Sequence, residues 1–368
     1  MSEVVGGLLP PLRVAGVGLL ESRTRYDAAL NAVRQIQVVA LVEGDIRLAR
    51  VLARDLGRSV VFTDLTALRA SDVKPDALLI ALEAKERSAF LLQAIDAGLP
   101  ILCAAPFALT LAEFDTVLNT AEAAGIALVP AFARPFDPWI ELVTQRLAED
   151  AIGTLRQVRC DWSFPTGGIV AVENGGETEA RSWIEQLPQF ACQTADLCRR
   201  WLGEAQTVSA DIDLPGSANN LPARPGSGST ALANLIVSHE HGQSTHHLSR
   251  SRGLNPLERY LFTGTQGEME LTLSAGESGP SALPALKLQR ASHKPEFLPL
   301  ETSSALPLSA LRQAEMLRHF AATARGLASP RVTAADARAA LEIVHAAYTS
   351  TLDSLKISLP LRRSPILP

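Results

Sequence analysis

The stretch Leu12-Arg-Val-Ala-Gly-Val-Gly18 ends a short apolar run with two glycines one residue apart. A strand that enters such a turn and leaves it as a helix can seat a dinucleotide pyrophosphate. Gly16 permits the tight turn, and Gly18 lets the backbone approach the phosphates at the helix N-terminus. The third glycine position of that fingerprint is Glu21, unless the segment Leu19–Arg25 lengthens the turn. A carboxylate at 21 repels a pyrophosphate when it points inward, and Arg23 and Arg25 could offset that. Glu43, at the end of the next apolar run, sits where an acidic residue would bind the ribose hydroxyls of NAD and disfavour the extra phosphate of NADP. The same spacing also suits a glycine turn that packs strand on helix and binds nothing.

Hydride transfer from an alcohol further needs a base for the hydroxyl proton and an electrophilic partner for the oxygen. Four histidines lie close together as candidates: His239, His241, His246 and His247. Strand alternation sends His246 and His247 to opposite faces, so one of them could face a cleft as a replacement base. His239 and His241 share a face, with Glu240 on the other, if the strand persists that far. Histidines on a half-exposed sheet are the plainer reading. As metal ligands the four lack the spacing of a zinc motif, no cysteine lies nearby in the sequence, and no metal is expected. There is no GxSxG elbow, P-loop or HExxH. Cys103, Cys160, Cys192 and Cys198 form no CxxC and no disulfide framework, and read as small buried hydrophobes in a reducing cytoplasm.

The elements that would hold these residues follow from periodicity. The chain has 368 residues, of which 47% are apolar and 20% charged, enough for two ordinary domains. Its net charge of -5 gives no basic patch for nucleic acid, and no apolar run reaches the roughly 20 residues of a membrane span. Through residue 130, short apolar runs alternate with helical patterns, predicting a doubly wound α/β domain. The helical pattern after Asp45 ends at Gly57, a C-cap residue. Residues 131–368 predict a second α/β domain with a large, open, mainly antiparallel sheet. The Pro- and Gly-rich stretch Leu214–Ser229 reads as a surface loop inside it. Two late helices close the chain. The second begins after Thr333 with Asp336 three residues on, close to a capping box.

In order along nearly the whole chain, the Gly16–Gly18 turn, Glu43, "AIDAGLPILCAAPFALT" (94–110), "ARPFDP" (133–138), "EDAIGTLRQVRC" (149–160), "QTADLCRRWLGE" (193–204), "FTGTQGEMEL" (262–271) and "VHAAYTSTLDSLKISLP" (344–360) resemble the glucose–fructose oxidoreductase / inositol dehydrogenase family, Gfo/Idh/MocA. The resemblance implies an N-terminal Rossmann domain, a nicotinamide cofactor, sugar- or polyol-like substrates, and a C-terminal sheet that builds a homodimer or homotetramer. It also implies that the terminal helix can pack back on the Rossmann domain.

The departures fall on the chemistry. Where the family usually has Glu-Lys-Pro after the fifth strand, this sequence has Ala104, Ala105 and Pro106. Where it has a histidine three residues before an aspartate, this sequence has Gln193 and Asp196. Glutamine exchanges hydrogen bonds but carries no proton through a cycle near neutral pH. Glu83 and Arg87 stand in for the usual Pro and His after the fourth strand. Lys85 could replace the lost lysine in charge, Arg134 could reach a ligand or form a structural ion pair, and Asp196 could contact substrate or only stabilise its helix. Three functions stay open: a protein of this oxidoreductase fold with absent or strongly altered dehydrogenase activity that keeps NAD(H) or sugar-like ligand binding, an active NAD-dependent dehydrogenase with non-standard residues, and a non-catalytic interaction subunit with a closed cleft.

Overall fold

A computed structural model describes residues 9–20, 23–57, 59–165, 176–213, 231–251, 257–274, 285–299 and 306–361. Glu21, the side chains of Arg23 and Arg25, and the stretch expected as a loop at 214–229 lie outside the described residues. The chain divides into two compact units: Met1–Asp137 with Ser303–Arg338, and Pro138–Thr302 with Ala339–Pro368.

The first unit alternates β1 (Leu12–Val17), α1 (Arg23–Ala32), β2 (Ile36–Val42), α2 (Ile46–Asp55), β3 (Val60–Phe62), α3 (Leu65–Ala70), β4 (Ala77–Ile80), α4 (Ala84–Ile95), β5 (Ile101–Cys103), α5 (Leu111–Ala123) and β6 (Leu128–Pro130). The strands pair in parallel in the order β3-β2-β1-β4-β5-β6, the doubly wound Rossmann order. β1 and β4 are almost wholly buried and apolar, because helices cover both faces of such a sheet. Local chemistry sets the helix ends. The Asp45 carboxylate accepts from the amides of Arg47 (2.9 Å) and Leu48 (3.1 Å), and Gly57 follows α2 at φ +90°. Thr110 accepts from the Glu113 amide at 3.2 Å to start α5.

The second unit begins with α6 (Pro138–Ala148) and β7 (Leu155–Pro165), followed by α7 (Gly176–Leu202), β8 (Ala205–Ile212), β9 (Ala231–His239), β10 (Gln243–Ser251), β11 (Leu257–Gly264), β12 (Gly267–Ser274), β13 (Ala285–Arg290) and β14 (Glu296–Leu298). α8 (Leu308–Thr323), α9 (Ala334–Asp353) and β15 (Ile357–Ser358) complete the chain. The nine strands run β14-β13-β12-β11-β7-β10-β9-β8-β15, with β7–β10 the one parallel pair among the described strands of this sheet. Register puts Val158, Cys160, Trp162, Leu235, Ser244, His246, Leu248, Tyr260 and Phe262 on one face, and all are buried. α7 packs on that face against β7, β9 and β10, with Ala191, Thr194, Ala195, Cys198 and Leu202 buried at helical spacing.

α8 belongs to the first unit. Its Ala314, Met316, Leu317, Phe320 and Ala321 join one apolar cluster with Tyr26, Ala29, Leu30 and Val33 around α1. α9 starts where expected. The Asp336 carboxylate accepts from the Thr333 amide at 2.9 Å, while the Thr333 hydroxyl accepts from the Asp336 amide at 3.1 Å.

Candidate functional site

In an open sheet of this order, ligands sit outside the carboxyl ends of the strands, where the order reverses between β1 and β4. Gly16, Gly18, Glu43, Glu83, Ala105 and Pro106 all lie at those ends. Gly18 has φ +66°, and a Cβ there would stand 2.7 Å from a Leu82 methyl and 3.0 Å from the Leu82 nitrogen. Above Gly16, the buried Leu19 side chain occupies the space a Cβ would need. The room left by both glycines is thus taken by protein, as in a turn that packs strand against loop.

Glu43 is only 6% exposed. One oxygen of its carboxylate accepts from the Leu19 amide at 2.6 Å and from the Leu20 amide at 3.3 Å. These amides follow the glycine turn directly, where a phosphate oxygen would look for donors. The first described residue of α1 is Arg23, five positions after Gly18. Glu43 therefore turns back onto the turn through one carboxylate oxygen.

At the ends of β4 and β5, Arg87 is the organising residue. It is buried and donates from Nε to the Leu82 carbonyl at 2.6 Å and from Nη1 to the Pro106 carbonyl at 2.8 Å, tying the two loops together. Ala104 and Ala105 are buried, and the Ala105–Pro106 peptide is cis. Burial pushes the Cys103 thiol up to about 12, which the Arg87 charge only partly counters, so Cys103 is no nucleophile. Glu83 and Lys85 are exposed and paired with each other at 3.0 Å. Arg134 is half-buried on a short 3-10 turn, Arg134–Phe136.

In the second unit, Gln193 is half-buried on α7. Asp196 is fully buried, and its carboxylate accepts from Arg200 Nε at 2.8 Å, with Arg199 at 3.8 Å. Arg199 in turn holds Glu204 through two nitrogens at 2.6 and 2.9 Å. Asp196 is the centre of an ion-pair network on α7.

The histidines separate as strand alternation requires. His246 faces inward, while His247 is exposed and bonded to Asn234 at 2.6 Å. β9 ends at His239, so the condition that strand geometry persist to His241 is not met: His239 is buried, and Glu240 and His241 are exposed in the turn. No cysteine lies near these histidines in the sequence, but the fold brings two cysteines close. Parallel pairing sets His246 opposite Cys160, and α7 brings Cys198 to both. His246 Nδ1 is 3.1 Å from Thr194 Oγ1, and its Nε2 is 2.9 Å from Ser244 Oγ. Ser244 Oγ is also 2.9 Å from His239 Nε2, whose ring partner Nδ1 meets the Gly203 carbonyl at 3.0 Å. Burial is the largest influence holding His239's pKa below its ordinary value, which keeps this imidazole neutral.

Several polar residues here escaped the sequence reading: Thr194, Ser244, Arg199, Arg200 and the buried Glu258, which accepts from the Tyr260 hydroxyl at 2.8 Å. For Ser244 and His246 a signal existed, since two polar residues one apart share the face that also carries Leu248.

Residues 12–132 match the model of Gfo/Idh/MocA, an oxidoreductase family with an NAD-binding Rossmann fold. The chain is 23% identical over 244 residues to an uncharacterized oxidoreductase of Synechocystis sp., covering 63% of this chain and 64% of that protein, less than two thirds of its length. It is 24% identical over 348 residues to the D-apiose dehydrogenase of Paraburkholderia graminis, covering 90% of this chain and 86% of the relative. A solved structure of an oxidoreductase from Agrobacterium radiobacter in complex with NAD+, L-tartaric acid and magnesium shares the fold. Its TM-score is 0.72 at 20% identity, over 94% of this chain and 98% of that one. The match to the Gfo/Idh/MocA oxidoreductase family is carried by the Rossmann sheet, residues 12–132.

Proposed function

We propose that this chain keeps the oxidoreductase fold but that ordinary dehydrogenase catalysis is absent or strongly altered, with NAD(H) or a sugar-like ligand bound rather than turned over. The observation that carries this reading is the Glu43 carboxylate on the Leu19 and Leu20 amides. It satisfies the donors that a pyrophosphate would use and places a negative charge beside them. Breaking charge-assisted hydrogen bonds of this kind costs about 1.5–3 kcal/mol. That weakens dinucleotide binding roughly tenfold to a hundredfold. Ala105 and Gln193, at the two positions the family resemblance marks for catalysis, add no group that can carry a proton. Asp196 is engaged by arginines on its own helix.

Glu43→Gln tests the reading, because two roles of Glu43 predict opposite signs. If the carboxylate latches the turn, removing its charge tightens NADH binding by about tenfold, or about 1.4 kcal/mol. If Glu43 binds the ribose hydroxyls, the same variant weakens NADH. Calorimetric titration of the full chain reads the sign. A weaker variant, or brisk NAD+ reduction by the wild type across a panel of polyols and aldoses, sinks the proposal in favour of an active NAD-dependent dehydrogenase with non-standard residues. The family's NAD-binding Rossmann fold is the observation behind that alternative.

We also propose a homo-oligomer, dimer or tetramer, formed through the outer face of the nine-stranded sheet. Ile236 is 48% exposed on β9 and shares that face with Asn234 and His247. Sedimentation of the wild type should give a mass above one chain, and Ile236→Lys should return it to the monomer. A wild type that sediments as a monomer rules the oligomer out.

A further inference from the structure

The inner face of the nine-stranded sheet holds a cluster that the cofactor reading does not use. Cys160 on β7, Cys198 on α7 and His246 on β10 each offer one donor atom, all within 4.8 Å of one another, and all three residues are buried. The two sulfurs are 3.7 Å apart. Two thiolates bound at about 2.3 Å to one tetrahedral ion stand about 3.8 Å apart. An imidazole nitrogen in the same shell lies about 3.5 Å from each sulfur, and the three donor atoms here already lie within 4.8 Å of one another.

Proton accounting sharpens the case. Thr194's single hydroxyl hydrogen goes to the Ala191 carbonyl at 3.0 Å, so its oxygen accepts from the His246 Nδ1–H. The Gly203 carbonyl can only accept, so His239 also carries its proton on Nδ1. Both imidazoles therefore present Nε2 as a bare lone pair, and both lone pairs face Ser244 Oγ at 2.9 Å. A hydroxyl has one hydrogen. It serves one ring, and beside the other, at His246, lies the Cys198 thiol, which hydrogen-bonds to that imidazole.

We propose that Cys160, Cys198 and His246 bind a thiophilic divalent cation of the zinc type, with Thr194 and Ser244 as positioning residues that hold the His246 tautomer. The donor set, two sulfurs and an imidazole, selects a soft or borderline ion over magnesium or calcium. Charge selects the divalent state. Two thiolates, a neutral imidazole and a dication sum to zero, the condition under which such a site can be buried without an unpaired charge. Binding replaces two S–H bonds by two metal–sulfur bonds and releases two protons to solvent, with no change of oxidation state. The Thr194 bond to Nδ1 is the outer-shell contact that fixes a ligand histidine and raises its basicity. The site lies wholly within the second unit and is independent of the cofactor proposal.

The experiment is a titration of the full chain, stripped with chelator under reducing conditions, with Co2+ and then Zn2+. One equivalent of Co2+ should bind with a thiolate-to-cobalt charge-transfer band in the near ultraviolet, displaced by Zn2+, and zinc should raise the thermal midpoint. Cys160→Ser and Cys198→Ser should each abolish the band. Thr194→Val, which keeps all three ligands, should weaken zinc by about tenfold to a hundredfold. Circular dichroism of the metal-free variants reports folding, and the wild-type titration stands even if a serine variant fails to fold. Absence of Co2+ uptake, uptake without a thiolate band, uptake unaffected in both serine variants, or a Cys160–Cys198 disulfide found by mass spectrometry of the chain as purified would each overturn the proposal.

Discussion

His319 shows how one atom's role fixes a pH response. The Arg331 backbone N–H points at His319 Nε2 at 3.0 Å, and an amide can only donate. Nε2 is therefore an acceptor, and the nearby Ser329 carbonyl at 3.1 Å gains a donor only when the ring is protonated. Burial first, and then the Arg331 charge, hold the His319 pKa below 6.5. The unfolded chain thus takes up the proton more readily than the folded one. The contribution is complete above pH 6.5 and is lost as acidification carries the pH down through the lower folded value. The urea midpoint should fall on the acid side of pH 6.5, and His319→Gln should flatten part of that fall. An unchanged acid slope in the variant would show that His319 is not the group responsible. Glu43 teaches a related lesson. Its place at the end of β2 was legible from the sequence, but the rotamer that turns its carboxylate back to Leu19 depends on a three-dimensional approach across 24 residues.

At the scale of elements, what was legible is what local chemistry controls. Asp45, Gly57 and the Thr333–Asp336 pair set helix ends through contacts a few residues apart, and Gly57 and the Thr333–Asp336 pair do what their residue types and positions foretold. Alternation along β10 correctly divided His246 from His247. The 27-residue helix α7 was harder to see as one element, because Pro188 lies inside it and proline ordinarily interrupts a helical pattern. Its Asp196, read as either a substrate contact or a helix support, is held by Arg200 four residues on and Arg199 three residues on, the spacing at which side chains meet along a helix. The Cys160–Cys198–His246 cluster was beyond reach. It depends on the parallel pairing of β7 with β10 and on the packing of α7 above them, neither of which residue spacing specifies.

For the molecule as a whole, the pairing of a parallel Rossmann sheet with a second, mainly antiparallel sheet was legible from the switch between alternating and strand-rich patterns. The path by which the chain returns was not. Among the described residues no helix is long and apolar enough to cross a membrane. The apolar cluster around α1 is completed by α8, whose residues come from the far end of the sequence. That feature bears on synthesis. A ribosome releases residues 9–137 long before α8 exists, so for most of translation the α1 face that Met316, Leu317 and Phe320 will cover has no partner. The first unit cannot close until α8 has been made, after residues 138–302 of the second unit. A fragment ending at Asp137 should therefore expose that face, bind a hydrophobic dye and aggregate, while the same fragment joined by a flexible linker to residues 303–338 should stay soluble and melt cooperatively. Equal behaviour of the two chains would show that α8 is dispensable. If they differ, the unit that begins with β1 stays unfinished while most of the second is synthesised, and a nascent-chain chaperone has that interval in which to hold it.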